Sequence, residues 1–228
     1  MLTELRKVIP SFLKRVDLDD RGVAWSDYLE TNRTEMDEIA ARVFGGSTAI
    51  EDAATVTLVD FDPDAEVKLV TAALYPHLAM PEEQIERRVR EMGVEERLAV
   101  LRAYNGFRTN RRHKPGRALE RPTYRFDVLA DYGAFRDLQR HRMLTIEWQR
   151  LTPAHGYVRP GAVDDAGLAS RYDDVMARSA ALFNVLDREF PEESSYAVAL
   201  AYRVRFMMQM NAREAMHLIE LRTTPQGH

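Results

Sequence analysis

AYRVRFMMQMNAREAMHLIELR, Ala201 to Arg222, reads as a strand that runs directly into a helix. Ala201–Met210 is the expected strand and Ala212–Leu221 the helix, with Asn211 at the junction, where its side chain can act as an N-cap. On that helix Asn211, Ala215, Leu218 and Arg222 fall near one face, and Arg213, His217 and Glu220 line an adjacent one. Capping with i,i+4 ion pairing is one reading of this pattern, and a polar binding face is the other. Met207, Met208 and Met210 are expected to fill core space at the junction.

Working outward, PTYRFDVL (Pro122–Leu129) alternates Tyr124, Phe126 and Val128 with Arg125 and Asp127, the pattern of a half-buried strand. Asp131 can cap a short helix carrying Phe135 and Leu138, which runs into Arg140-His141-Arg142. Met143–Leu151 is expected to be another strand, and Thr55–Phe61 (TVTLVDF) a further one. Between them lie helices from Asp62-Pro63 to Leu74, over Pro81–Met92, and over Val94–Tyr104 after Gly93. Asp164–Phe190 is expected as one long helix, with Leu168, Tyr172, Val175, Met176, Leu182, Phe183 and Leu186 along its apolar stripe.

The N-terminal part is helical throughout. Leu2, Leu5, Val8, Ile9 and Leu13 mark an amphipathic helix with Pro10 as a kink. An acidic turn at Asp17 to Asp20 precedes a helix over Trp25–Phe44, stopped by Gly45-Gly46. Helices followed by mixed strands and helices make an α+β chain. Trp25 and Trp148 are expected to be packing residues.

The 228 residues are 45% hydrophobic and 30% charged, a folding composition. No apolar run reaches the roughly 18 residues of a membrane span, and the N-terminus lacks the apolar core of a secretory signal, so the expected location is cytoplasmic. With no cysteine, disulfides, thiolate metal sites and a cysteine nucleophile are excluded. The net charge of −4 gives no reason to expect nucleic acid as a partner. None of the six histidines forms an HxH or HxxxH pair, so no metal site is expected.

Two basic features stand out. Arg140, His141 and Arg142 at an element junction suit a polyanion, because guanidinium forks grip phosphate oxygens and an imidazole bonds to or stacks on a planar ring. A basic helix end complementing the dipole explains them equally well. RTNRRHKPGR, Arg108 to Arg117, carries Arg108, Arg111, Arg112, Lys114 and Arg117 with no acid. It reads as a solvated loop unless it covers a cofactor.

RHR at 140–142, NAR at 211–213, LR at 221–222 and the segment HKPGRALERPTYRFDV (His113–Val128) together resemble the flavin-dependent thymidylate synthases, over about residues 50–228. The resemblance implies a fold of mixed helices around an antiparallel sheet, with residues 1–48 as an added helical segment and 49–228 as the family domain. It implies methylation of dUMP to dTMP with methylene-tetrahydrofolate, FAD as cofactor, NADPH as reductant, and a homo-oligomer with sites between subunits. By position, Arg140, His141 and Arg142 would contact FAD, with Asn211, Arg213, His217 and His113 near it. Arg222 would serve catalysis by facing the pyrimidine, where a fixed cation stabilises developing negative charge.

The family's Ser-x-Arg after RHR is altered in MLTIEWQRLTP (Met143–Pro153). Arg150 stands at the serine position, Thr152 at the arginine, and Trp148 where a glutamate is expected, with Glu147 one residue earlier. Asp137 replaces a frequent glutamine, and a carboxylate there would repel a phosphate. Arg150 is the substrate-binding residue expected to restore the lost cation. The alternative implied by these departures is a non-catalytic homologue that keeps the fold, with or without FAD, as a scaffold or regulatory half. His228 follows Arg222 by six residues, where the family continues, so the chain is expected to be a fragment or one half of a two-copy protein.

Overall fold

The computed structural model describes residues 1–14, 16, 18, 20–45 and 54–225. Asp17 and Asp19 of the expected acidic turn, Gly46 of the glycine stop, and His228 lie outside them. The chain divides into two compact units, Met1–Asp52 and Ala53–His228.

The first unit is helical: α1 (Leu2–Val8), α2 (Pro10–Leu13) and α3 (Val23–Phe44). Pro10 begins α2, where its missing N–H costs nothing, and so divides the expected single N-terminal helix in two. Gly45 closes α3 in the left-handed conformation at φ 59°, its N–H on the Ala41 carbonyl. Trp25 stacks on Tyr28 with ring centroids 5.6 Å apart, but its side chain stays largely exposed, so the packing expected of it is confined to its own helix.

In the second unit the elements are β1 (Val56–Phe61), α4 (Ala65–Leu74), α5 (Glu82–Glu91), α6 (Val94–Asn105), β2 (Thr123–Asp131), α7 (Tyr132–Leu138), β3 (Thr145–Trp148), α8 (Gly161–Asp165), α9 (Ala169–Glu189), β4 (Arg203–Asn211) and α10 (Ala212–Arg222). The four strands form one antiparallel sheet, in the order β1-β2-β4-β3. β2 and β4 pair without interruption from Thr123↔Asn211 to Asp131↔Arg203. Phe126 faces Met208 and Val128 faces Phe206 across this ladder. Val128, Val204, Phe206 and Phe135 from α7 form the buried centre, ringed by Phe126, Leu138, Ile146 and Met208. Met210 is buried, and Trp148 meets Phe135 edge-on at 5.5 Å while half its surface stays open. A second core of Val70, Ile85 and Val89 joins α4 to α5.

Two expected elements differ. β3 covers only Thr145–Trp148, because residues 141–144 form a turn closed by the Leu144 N–H on the His141 carbonyl at 3.2 Å. The long helix is split at Gly167, whose φ of 69° lets the Leu168 N–H return to the Val163 carbonyl. No helix among the described residues is long and apolar enough to cross a membrane.

Phe206 is 1% exposed and touches Phe135 at a centroid distance of 4.9 Å. Phe206→Ala is expected to lower stability by about 3–5 kcal/mol in urea unfolding, whereas Val56→Ala on exposed β1 changes it by about 0.5 kcal/mol or less. Equal losses at the two positions would mean the core does not centre on the ladder.

Candidate functional site: two basic clefts flanking the last helix

The β2–β4 ladder carries a helix at each end. At one end β2 passes into α7, capped by Asp131, whose Oδ1 accepts the Ala134 N–H at 2.8 Å. At the other end β4 passes into α10, capped by Asn211, whose Oδ1 accepts the Glu214 N–H at 2.9 Å. The Ala212 N–H closes on the Pro122 carbonyl at 3.0 Å, pinning the start of α10 to the start of β2. Asn211 is therefore an N-cap whose Nδ2 donors remain outside that bond.

The turn after α7 delivers Arg140, His141 and Arg142 to α10. The His141 side chain is buried between the two ends of that helix. Its Nδ1 lies 2.8 Å from Glu214 Oε1, and its Nε2 receives the Arg222 Nε–H at 3.1 Å. A guanidinium can only donate, so Nε2 is the accepting nitrogen and Nδ1 carries the proton that Glu214 accepts. Arg222 is held further by Asp137: its Nη2 donates to the Asp137 carbonyl at 2.6 Å, and its Nη1 sits 3.2 Å from Oδ2 of the same residue. The other carboxylate oxygen of Asp137 accepts from Arg140. His217 approaches Glu214 Oε2 at 3.4 Å and meets the His141 ring edge-on at 5.4 Å.

Helix α10 separates two clefts. One, of about 570 Å³, is lined by Arg140, His141, Arg142, Met143 and Arg222. The other, of about 530 Å³, is lined by Arg111, Arg112, Lys114, Pro115, Arg213 and Glu220. Glu214, His217 and Leu221 border both. The basic loop thus forms a cleft wall rather than only a solvated excursion. Its exit is anchored where the Ala118 N–H donates to the Tyr104 hydroxyl at 2.8 Å. A Cβ at Gly116 would lie 2.1 Å from that hydroxyl, so any larger residue there would push the Tyr104 ring out of this bond.

Arg213 reaches the loop from α10, donating to the Pro115 carbonyl at 3.1 Å and to Glu120 at 2.9 Å. Arg117 and then Arg213 hold the Glu120 carboxyl below its usual range. His113 turns back on its own loop, with Nδ1 3.3 Å from the Thr109 N–H and Nε2 3.3 Å from Asn110 Nδ2. Arg108 ties the loop to α10 through Glu220 at 2.8 Å.

His141, Glu214 and His217 present ligand atoms within 4.8 Å of one another, the residue types of a metal site. The surroundings argue for a hydrogen-bond relay instead. A metal-bound imidazole ordinarily donates its other ring N–H to an acceptor, and here that nitrogen faces a guanidinium donor. Arg140, Arg142 and Arg222 also line the same cleft, making it unfavourable for a cation and favourable for an anion.

The profile of the family described as thymidylate synthase complementing protein matches residues 57–228. This chain belongs to the flavin-dependent thymidylate synthase family. It is 37% identical over all 228 residues to a UPF0159 protein of Chlamydia pneumoniae, covering 43% of that protein. A UPF0159 protein of Thermoplasma acidophilum is 35% identical over 177 residues, 76% of this chain and 35% of that one. The chain thus spans less than half the length of the curated relatives it matches. Among solved structures, the UMP/dUMP methylase PolB of Streptomyces cacaoi bound with 5-Br dUMP overlays at TM-score 0.57 with 18% identity, covering 76% of this chain and 79% of the other. Thymidylate synthase X of Helicobacter pylori with FAD and dUMP overlays at TM-score 0.49 with 18% identity, covering 77% and 86%.

The family motifs Arg140, His141, Arg142, Arg213, His217 and Arg222 therefore converge on the two sides of α10. Arg150 is not among the residues lining either cleft. Its guanidinium pairs with Asp187 and Ser194 Oγ, the latter at 2.9 Å, and lies 5.8 Å from the Phe183 ring centre. The sequence pattern leaves Glu214 unmarked, and of the two readings of the basic loop the structure favours the one in which Arg111, Arg112 and Lys114 line a cleft. The signal for Glu214 was present: a carboxylate three residues before His217 on a helix whose opposite end carries Arg222.

Glu214→Leu is expected to remove the Nδ1 acceptor of His141 and to cost about 1–3 kcal/mol. In two-bond ¹⁵N–¹H spectra the Nδ1–H signature of His141 gives way to a tautomer mixture; an unchanged signature would disprove the relay. A second prediction concerns acid stability. Because the folded pKa of Glu120 is depressed below its ordinary 4.5, its stabilising contribution is complete above that value and fades as pH falls through the folded one. Melting curves of Glu120→Gln and the unaltered protein should converge at the acid end of that window, and parallel curves would refute this assignment.

Proposed function

We propose that this chain is part of an FAD-dependent thymidylate synthase-like enzyme that methylates dUMP to dTMP, using methylene-tetrahydrofolate and NADPH. The observation that carries the reading is the His141 imidazole, fixed between Glu214 and Arg222 in a cleft lined by Arg140 and Arg142. The donor set fits a dinucleotide flavin: cations for phosphates, together with Met143, Leu221 and the two imidazoles for a planar ring. The bound reduced flavin would supply the hydride that completes the methyl group.

Arg140 and Arg142 would hold phosphate oxygens in one cleft, and Arg213 with the loop cations Arg111, Arg112 and Lys114 would hold them in the other. His141 and His217 would lie against the flavin, and Asn211 would offer its remaining amide donors. His113 would join them by turning out of its own loop. Arg222 has five N–H donors, of which three are aimed at His141 and Asp137. The remaining two would meet the pyrimidine, where a preorganised cation stabilises charge that develops on the ring. Arg150 would reach the nucleotide only by leaving Asp187 and Ser194. A second copy would complete the site in a homo-oligomer.

That engagement of Arg150 favours one second reading, a non-catalytic homologue that keeps the fold, with or without the flavin, as a scaffold or regulatory half. Visible absorption of the purified protein with FAD, then with dUMP titrated in, separates the two. The synthase reading expects flavin binding and a spectral change with dUMP. His141→Ala is expected to weaken FAD binding at least about tenfold, through loss of a buried, doubly bonded ring. A bound flavin indifferent to dUMP would select the second reading, and no flavin binding would remove the synthase reading and leave only the fold.

A further inference from the structure

We propose that Asp137 is a specificity-determining residue, an internal carboxylate that occupies the Arg140–Arg222 pair and that an incoming phosphate must displace. This rests on the flavin- and nucleotide-binding reading for its ligands, but its central test does not. One carboxylate oxygen of Asp137 accepts from Arg140, and the other lies 3.2 Å from Arg222 Nη1. Both arginines line the same cleft. The carboxylate thus takes the place on two guanidinium forks that a phosphate oxygen would take.

The geometry separates the two contacts of Arg222. Its bond to the Asp137 carbonyl, at 2.6 Å, uses backbone and holds the guanidinium in position whatever side chain stands at 137. The bond from Arg222 Nε to His141 is likewise independent of the carboxylate. Only the ion pair depends on the charge. The Asp137 side chain is 30% exposed and can swing away, while Arg140, at 70%, is free to follow a ligand. An arriving phosphate therefore exchanges one anion for another on a prepositioned cation.

Two consequences follow. Without ligand, the carboxylate offsets the like charges of Arg140 and Arg222, both of which contact it. With ligand, a phosphate binds against a local charge lower by one than the two arginines alone would give, so the carboxylate weakens binding in proportion to the ligand's negative charge and leaves uncharged compounds unaffected. The shared chemistry is a phosphate oxyanion, and its source is either a nucleoside monophosphate or the phosphates of a flavin dinucleotide.

The test compares the unaltered protein with Asp137→Asn, which keeps the size and an acceptor while removing the charge; Asp137→Gln runs alongside in case Asn disturbs folding. Binding is measured for inorganic phosphate, for dUMP against deoxyuridine, and for FAD against riboflavin. Inorganic phosphate is expected to bind roughly tenfold tighter to the neutral variants, with a steeper salt dependence. Among the paired probes, the phosphorylated member gains and the uncharged member does not, and the pair that responds identifies the source. Phosphate binding that is unchanged or weaker in both variants would overturn the proposal and make Asp137 a positioning residue for Arg222. If phosphate tightens while neither dUMP nor FAD binds any of the proteins, the role of Asp137 stands and the functional reading falls.

Discussion

Everything at the site hangs on the register of β2 against β4. The ladder runs from Thr123↔Asn211 to Asp131↔Arg203, and its terminal pairs contain the two capping residues that launch α7 and α10. A slip of one residue would turn Val128 and Phe206 out of the core, so the buried face locks the register. It would also carry Asn211 away from Thr123 and Pro122, and with it the origin of α10. The hydrophobic interior thus sets the separation between Arg140-His141-Arg142 and the helix they meet.

Within that frame, electrostatics decides what can be buried. Glu214 is 7% exposed, a position where a carboxylate is costly unless bonded. His141 and His217 answer it from two directions, and Asn211 caps the backbone beneath it. Nearby arginines raise the potential further in favour of negative charge. The same concentration of cations that accommodates Glu214 makes the neighbouring clefts attractive to anionic ligands.

Much of this was legible in the sequence, and the gaps have physical causes. The period-two alternation of Tyr124, Phe126 and Val128 and the junction at Asn211 gave the sheet and its helix, because both are short-range patterns. RHR, NAR and LR marked the family, and they converge in space. Glu214 passed unnoticed because its partner His141 lies 73 residues away, and no local period reports that. Arg150 was read as a replacement cation from its place in a motif, but its direction is set by Asp187 and Ser194, beyond the motif's reach. The expected helix Asp164–Phe190 runs through Gly167, and only that residue's positive φ shows that the chain turns there.

The outer edge of the sheet carries a different implication. All six residues of β1 are exposed, and Val56, Leu58, Val59 and Phe61 make it an apolar edge of the kind that recruits strands from other molecules. Two features oppose that. The pairing with β2 breaks register between Leu58 and Asp60, so the edge bends instead of presenting a flat template. Asp60, 3.6 Å from Arg125, also places charge at the irregularity. The bulge therefore guards against aggregation, and straightening β1 would trade solubility for a more regular ladder.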